Sequence, residues 1–334
     1  MPGRFGDLVL ATFMLNRLAE FSESGKIDLI TGAKNHAVLK NEPYIGELLV
    51  LDKSPAKLVR FLFKLNQKEY ELFIDPKDHP SKESKIIARF VKASEKLGYI
   101  ENHNGFDRYI RSLPDIKSNL SELPEQKHHF TLRMTNVLTD FGYDQNELIE
   151  MSSKGLLKPS LTIGDESRAS VDNYLSNKGV GSYFVLNLSA SAEHRYPDAE
   201  FWEKFLKSIN IKYPIIITYA PSEKVFAAEL LERLMKIDSL KIYDFGLAEF
   251  SDIVALIKGS ELLISPDTAV VHVAAAFNVP IFAFFSWYEK HTKAFYPMSS
   301  QKYILWSREG DKGVRSIEAD EAIRLWEKEI EDKF

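Results

Sequence analysis

The 334-residue sequence predicts an α/β protein of two Rossmann-like lobes facing a cleft, each a parallel sheet covered by helices. Three observations predict this class. Short, uniformly apolar runs of strand length recur in both halves of the chain. Segments with helical spacing separate them, the pattern of strands buried on both faces. A stretch punctuated by Gly155, Pro159 and Gly164 then breaks the alternation near its middle. The expected division is a lobe at 1–158, a second at 159–315, and a closing helix at 316–334.

The C-terminal half has the clearer rhythm. "SYFVLNLS" (182–189) reads as a strand, and 198–209 shows helical spacing through Phe201, Trp202, Phe205 and Ile209. "YPIIITYA" (213–220) is a second strand, followed by a helix at 222–235 with Ser222 as its expected N-cap. "LKIYDF", "FSDIVALIKGS", "ELLIS", "TAVVHVAAAF" and "VPIFAFF" continue as strand, helix, strand, helix, strand. In the N-terminal half, strands are expected at 26–31, 45–51 and 70–75, and helices at 7–22, 55–66 and 81–94. Residues 101–128 read as irregular, 129–142 as a helix, and 151–167 as an inter-domain connection. A strand is expected before the glycine-containing loop that opens the chain, and none precedes it there. Either that sheet edge is built differently or the natural first residues are missing.

Composition narrows the function. Hydrophobic residues make up 45%, enough for real cores, and the formal net charge of −5 gives no bias toward nucleic acid. The chain has no cysteine, which excludes disulfide scaffolds, thiolate metal sites and cysteine nucleophiles. No secretory signal layout and no membrane-length apolar run is present, so the protein reads as soluble and cytoplasmic.

Open α/β sheets bind ligands beyond the carboxyl ends of their strands, so the strand-to-helix junctions are where chemistry is sought. In "ELLISPDTAVVHVAAAFNVPIFAFF" (261–285), Asp267 and Thr268 fall at a helix entrance and His272 lies one turn on. A helix N-terminus offers unpaired N–H groups and a positive dipole end, a ready anion site. The plainer alternative is Asp267 as an N-cap and His272 as a satisfied core histidine. Asn278 suits the left-handed turn that leads to Pro280. At 3–10, "GRFGDLVL" places Gly3, Gly6 and Asp7 at the head of another helix. At 186–202, Ser189 follows a strand, and His194 and Arg195 follow Ser189, where a cation helps neutralise a diphosphate. Lys57, Arg60, Lys64 and Lys68 lie at helical spacing, as do Lys82, Lys85, Arg89, Lys92 and Lys96. Such rows are either solvated faces or a local basic surface for a phosphorylated acceptor or an anionic membrane.

"SPDTAVVHVAAAFNVPIFAFF" resembles the signature of glycosyltransferase family 9, the bacterial ADP-heptose:lipopolysaccharide heptosyltransferases. There an Asp-Thr-Gly-x-x-His-x-Ala-Ala-Ala run precedes a proline and a strand. "GDLVLATFMLNRL" is similar to the family's N-terminal Gly-Asp helix. "KNEPYIGELLVLD", "YELFIDPK", "SAEHRYPDAEFWEKF" and "GLAEFSDIVALIKGSELLISPD" follow the family in order, so the likeness spans nearly the whole chain.

The resemblance implies the two-lobed GT-B fold and inverting, metal-independent transfer from ADP-heptose to the lipopolysaccharide inner core. ADP-heptose is then a co-substrate, and no cofactor is implied. Asp7 becomes the candidate general base. Asp267, Thr268, Ala269 and His272, with Ser189, His194 and Arg195, become the donor site, and Gly6, Lys57, Arg60 and Lys64 the acceptor side. The implied partners are a nucleotide-sugar donor and a lipid-linked saccharide acceptor, with peripheral contact at the cytoplasmic face of the inner membrane. Three departures stand out: Ala269 replaces the family's glycine, His194 replaces its lysine, and the first strand is missing. Two rival readings remain: a GT-B transferase or epimerase using another nucleotide sugar, or a non-catalytic nucleotide-binding relative. A dinucleotide dehydrogenase is disfavoured, because no G-x-G-x-x-G follows a strand.

Overall fold

A computed structural model describes residues 5–52, 54–77, 82–99, 106–110, 129–190, 192–287, 294–308, 310 and 313–334. The described residues form two compact units, one ending at Ser160 and the other beginning at Leu161.

Unit 1 opens with α1 (Phe5–Ala19), whose Leu8, Val9, Leu10, Ala11 and Met14 are all buried. A helix this apolar along its length must be enclosed by other elements. Then follow β1 (Ile27–Gly32), α2 (His36–Leu39), β2 (Ile45–Leu51), α3 (Pro55–Leu65), β3 (Glu69–Asp75), α4 (Lys82–Phe90), β4 (Lys92–Tyr99) and β5 (Arg108–Ile110). α5 (Phe130–Thr135) runs into a 3-10 turn that stops at Gly142 (φ 91°), and α6 (Gln145–Ser153) closes the unit. β1 pairs with β2, and β3, β4 and β5 form a second ladder, all parallel. Side chains join β1, β2 and β3. Lys68 donates to Asp28 Oδ2 at 2.8 Å and to Glu47 Oε2 at 2.5 Å, while the Tyr70 hydroxyl donates to Asp28 Oδ2 at 3.1 Å.

Several expectations change here. The helix at 81–94 ends at Phe90, and Lys92 and Lys96 belong to β4, not to a helical row. "KASEKLGY" carries helix formers, but pairing on both sides with β3 and β5 overrides that preference. The stretch read as irregular contains β5, and the remainder of 101–128, apart from residues 106–107, lies outside the described residues. The connection read at 151–167 is shorter, because α6 enters it from one side and α7 (Asp165–Lys178) from the other. Gly6 lies within α1, not in a loop, and Gly3 lies outside the described residues.

Unit 2 continues from α7 with β6 (Phe184–Asn187), α8 (Ala199–Ser208), β7 (Ile215–Thr218), α9 (Lys224–Leu234), β8 (Ile242–Gly246) and α10 (Phe250–Lys258). It ends with β9 (Leu262–Pro266), α11 (Ala269–Ala276), β10 (Ile281–Phe285), β11 (Lys302–Trp306) and α12 (Ala319–Glu329). Its single parallel sheet has the order β8-β7-β6-β9-β10-β11. That is the doubly wound Rossmann order, and its direction of winding reverses between β6 and β9. β6, β7, β9 and β10 are buried along their whole length. On one face an aromatic cluster locks α8 and α12 to the sheet. Phe205 stacks on Phe282 at 5.5 Å, and Trp202 meets Phe284 edge-on at 5.3 Å. Trp326 of α12 reaches Phe282 at 5.6 Å. β11 was not foreseen in the sequence. Asn278 does take the left-handed conformation, at φ 57°.

Candidate active site

The winding reverses between β6 and β9, the place where open α/β sheets bind ligands beyond their carboxyl ends, and polar side chains tie these two strands together there. The Asn187 amide donates to Ser265 Oγ and to the Ser189 carbonyl, both at 3.0 Å. The Ser189 N–H returns a bond to Asn187 Oδ1 at 3.3 Å, and Ser189 Oγ accepts from the Ala220 N–H at 2.5 Å. Ser189 thus links the loop after β6 to the loop after β7.

The loop after β6 then makes a 3-10 turn at Glu193–Arg195. The Arg195 guanidinium donates to Asp267 Oδ2, and the two side chains are 22% and 19% exposed. The turn is held from the other side. Arg315 donates to Glu193 at 2.8 Å, and the backbone of Gly313 packs against the His194 carbonyl. The His194 side chain is exposed.

The pairing answers why Asp267 is there. It is not an N-cap: the cap of α11 is Thr268, in extended conformation and with no side-chain capping bond. The Asp267 N–H donates to the Phe284 carbonyl at 2.9 Å, which fixes its backbone to β10. Thr268 and Ala269 are half-buried at the helix entrance, and His272 is buried one turn on. The result is a guanidinium, an uncapped helix N-terminus and a hydroxyl at one strand junction, a setting suited to a diphosphate.

Glu223 is a candidate site residue that the sequence reading did not single out. It lies on the 3-10 turn after β7 and is buried. Ser222, expected as a helix cap, instead donates its hydroxyl to Glu223 Oε1 at 2.8 Å, while Oε2 is buried without a hydrogen-bond partner. A carboxylate after the second strand of a Rossmann unit suits a ribose diol. Its spacing after β6 was the available signal.

In unit 1, Asp7 stands in the first turn of α1, half-buried. Lys57, Arg60 and Lys64 are exposed on α3. Lys57 pairs with Asp52 at 2.9 Å and Lys64 with Glu47 at 2.5 Å. Among the described residues, no group of three or more His, Asp or Glu side chains is placed to hold a metal ion. No helix among them is long and apolar enough to cross a membrane.

The family model for glycosyltransferase family 9 (heptosyltransferase) matches residues 58–321. The chain belongs to glycosyltransferase family 9. Lipopolysaccharide heptosyltransferase 3 of Escherichia coli is 22% identical over 291 residues, covering 84% of this chain and 80% of the relative. The fold matches a family 9 glycosyl transferase from Veillonella parvula at a TM-score of 0.72 and 17% identity, covering 98% of this chain and 94% of that one. It also matches E. coli heptosyltransferase WaaC, solved with ADP, at a TM-score of 0.68 and 14% identity, covering 98% and 95%. This family 9 member is therefore a glycosyltransferase with the α/β architecture of the GT-B heptosyltransferases.

Proposed function

We propose that this enzyme transfers heptose from ADP-heptose to the lipopolysaccharide inner core with inversion, using Asp7 as general base. The observation that carries the donor half is the Arg195–Asp267 pair beside the open N-terminus of α11, at the point where the sheet order reverses. WaaC, which shares the fold, has been solved with ADP and with ADP-2-deoxy-2-fluoro heptose, which favours an adenosine diphosphate sugar here.

In this reading the diphosphate accepts from Arg195, from Thr268 and from the first-turn N–H groups of α11, with Ala269 setting how closely it approaches. Ser189 and His194 border the same loop, His272 supports the helix from within, and Glu223 holds the ribose hydroxyls. The acceptor hydroxyl gives its proton to Asp7 as its oxygen attacks the anomeric carbon. The bond from that carbon to the β-phosphate oxygen breaks, and its electron pair leaves with ADP. Base catalysis of this kind is worth roughly 10²–10⁴-fold, and charge stabilisation of the departing diphosphate adds to it. Gly6 lets the acceptor approach α1, while Lys57, Arg60 and Lys64 face the phosphates of a lipid-linked saccharide at the cytoplasmic face of the inner membrane.

The test is transfer from ADP-heptose to a heptose-free lipopolysaccharide core, comparing wild type with Asp7→Asn. Transfer by the wild type, a fall of roughly 10²–10⁴-fold in the variant and unchanged ADP affinity are expected. Wild-type binding of ADP without transfer would reject the donor sugar or the acceptor. An active Asp7→Asn would reject the base.

A further inference from the structure

The outer faces of α3 and α4 carry an unusual combination of side chains. Val59 and Phe63, one turn apart on α3, are 68% and 67% exposed. Ile86 and Phe90, one turn apart on α4, are 42% and 43% exposed. The two helices lie over one small core, to which α3 gives Phe61 and Leu65 and α4 gives Ile87. Their outer sides are therefore neighbouring parts of one surface. The core needs none of these four residues, since each helix already buries its other stripe.

The same two helices are rich in cations. α3 contains Lys57, Arg60 and Lys64 and no acid, and α4 contains Lys82, Lys85 and Arg89 with Glu83 alone against them. All six cations are exposed. Six cations against one acid stand out in a chain whose net charge is −5. The ion pairs of Lys57 and Lys64 are to half-buried carboxylates on and just after β2, and both lysines stay exposed.

We propose that this α3–α4 face is a membrane-docking surface for an anionic lipid bilayer. Val59, Phe63, Ile86 and Phe90 enter the headgroup–acyl boundary, and the Lys and Arg side chains of the same helices meet lipid phosphates. Basic amphipathic helices bind membrane interfaces by this division of labour. A second copy of the chain is a poorer occupant, because its own six cations would face these. The inference extends the reading of a lipid-linked acceptor by naming the surface that keeps the enzyme beside it.

The test is co-sedimentation with phosphatidylcholine vesicles containing or lacking 30% phosphatidylglycerol. Wild type should bind the anionic vesicles at low salt, bind neutral ones far less, and be released as salt rises. Lys85→Glu with Arg89→Glu alters the charge by four units and should weaken binding several hundredfold, at about fivefold per charge. Phe63→Ser with Phe90→Ser should weaken it roughly tenfold or more. The same serine variant should turn over a deacylated, soluble core acceptor like the wild type, yet lose transfer to an acceptor embedded in vesicles.

Wild type that stays in solution with anionic vesicles overturns the inference. So does either double variant that sediments like the wild type, or a concentration-dependent dimer abolished by the serine variant. Failure of the wild type to transfer heptose would reject the proposed reaction, while sedimentation still decides the docking surface.

Discussion

Arg195→Ala tests the donor site most directly. The Arg195–Asp267 pair is about four-fifths buried on both sides, so neither charge is well solvated. In the proposed site, removing the guanidinium would delete a charge-assisted donor to the diphosphate, worth about 1.5–3 kcal/mol. It also takes a guanidinium away from Asp267, which in the proposed site faces that diphosphate. At a separation of about 5 Å and an effective dielectric constant near 20, two unit charges repel by about 3 kcal/mol. Screening at a partly exposed site reduces that to about 1–2 kcal/mol. Together these effects should raise the Kd for ADP by roughly 10²–10³-fold, read by isothermal titration calorimetry. Adding Asp267→Asn removes the repulsive part, so the double variant should bind roughly tenfold tighter than Arg195→Ala alone. The double-mutant cycle would then show coupling between the two positions. An Arg195→Ala protein that binds ADP within about threefold of the wild type would refute the assignment. A double variant no better than the single would refute the electrostatic account of Asp267.

Thr268→Ala should lower the melting temperature by less than about 2 °C, because the hydroxyl makes no capping bond to lose. ADP affinity should nevertheless fall about fivefold to tenfold as a phosphate contact disappears. Gly313→Ala acts at a distance. Its methyl group would stand 2.6 Å from the His194 carbonyl oxygen, so the turn bearing Arg195 must shift. Overpacking of this kind costs about 1–3 kcal/mol, and both ADP affinity and melting temperature should drop although residue 313 is not assigned any ligand contact. In unit 1, hydrogen bonds from Lys64 and Lys68 hold the Glu47 carboxyl below its ordinary value of 4.5. A depressed carboxyl contributes stability that is complete above that ordinary value and is lost as pH falls below it. Thermal melts should therefore show unit 1 weakening from about pH 5 downward, and Glu47→Gln should flatten that dependence.

The candidate site was legible in the sequence wherever its residues are close along the chain. Asp267, Thr268 and His272 stood out because polar residues interrupted an apolar strand–helix–strand run, and the structure puts them at the end of β9 and in α11. The role of Asp267 was not legible. Its partner Arg195 lies 72 positions away, and only the β6–β9 pairing brings them together. Glu223 escaped for a related reason: its spacing after β6 is a weak signal, and only its burial in the fold singles it out as a candidate. β4 escaped because Lys, Glu and Ala within it favour a helix, while its neighbours on both sides impose a strand.

By itself the sequence determined the alternation of strands and helices, the break near residue 160, and the family through its ordered motifs. These depend on apolar periodicity and short contiguous patterns, which the chain displays without folding. Tertiary structure alone decided the strand order, the Arg195–Asp267 pair, the burial of Glu223 and the joint exposure of Val59, Phe63, Ile86 and Phe90. Each of these depends on which distant segments become neighbours, and hydrophobic burial makes that choice over the whole fold rather than along any one stretch.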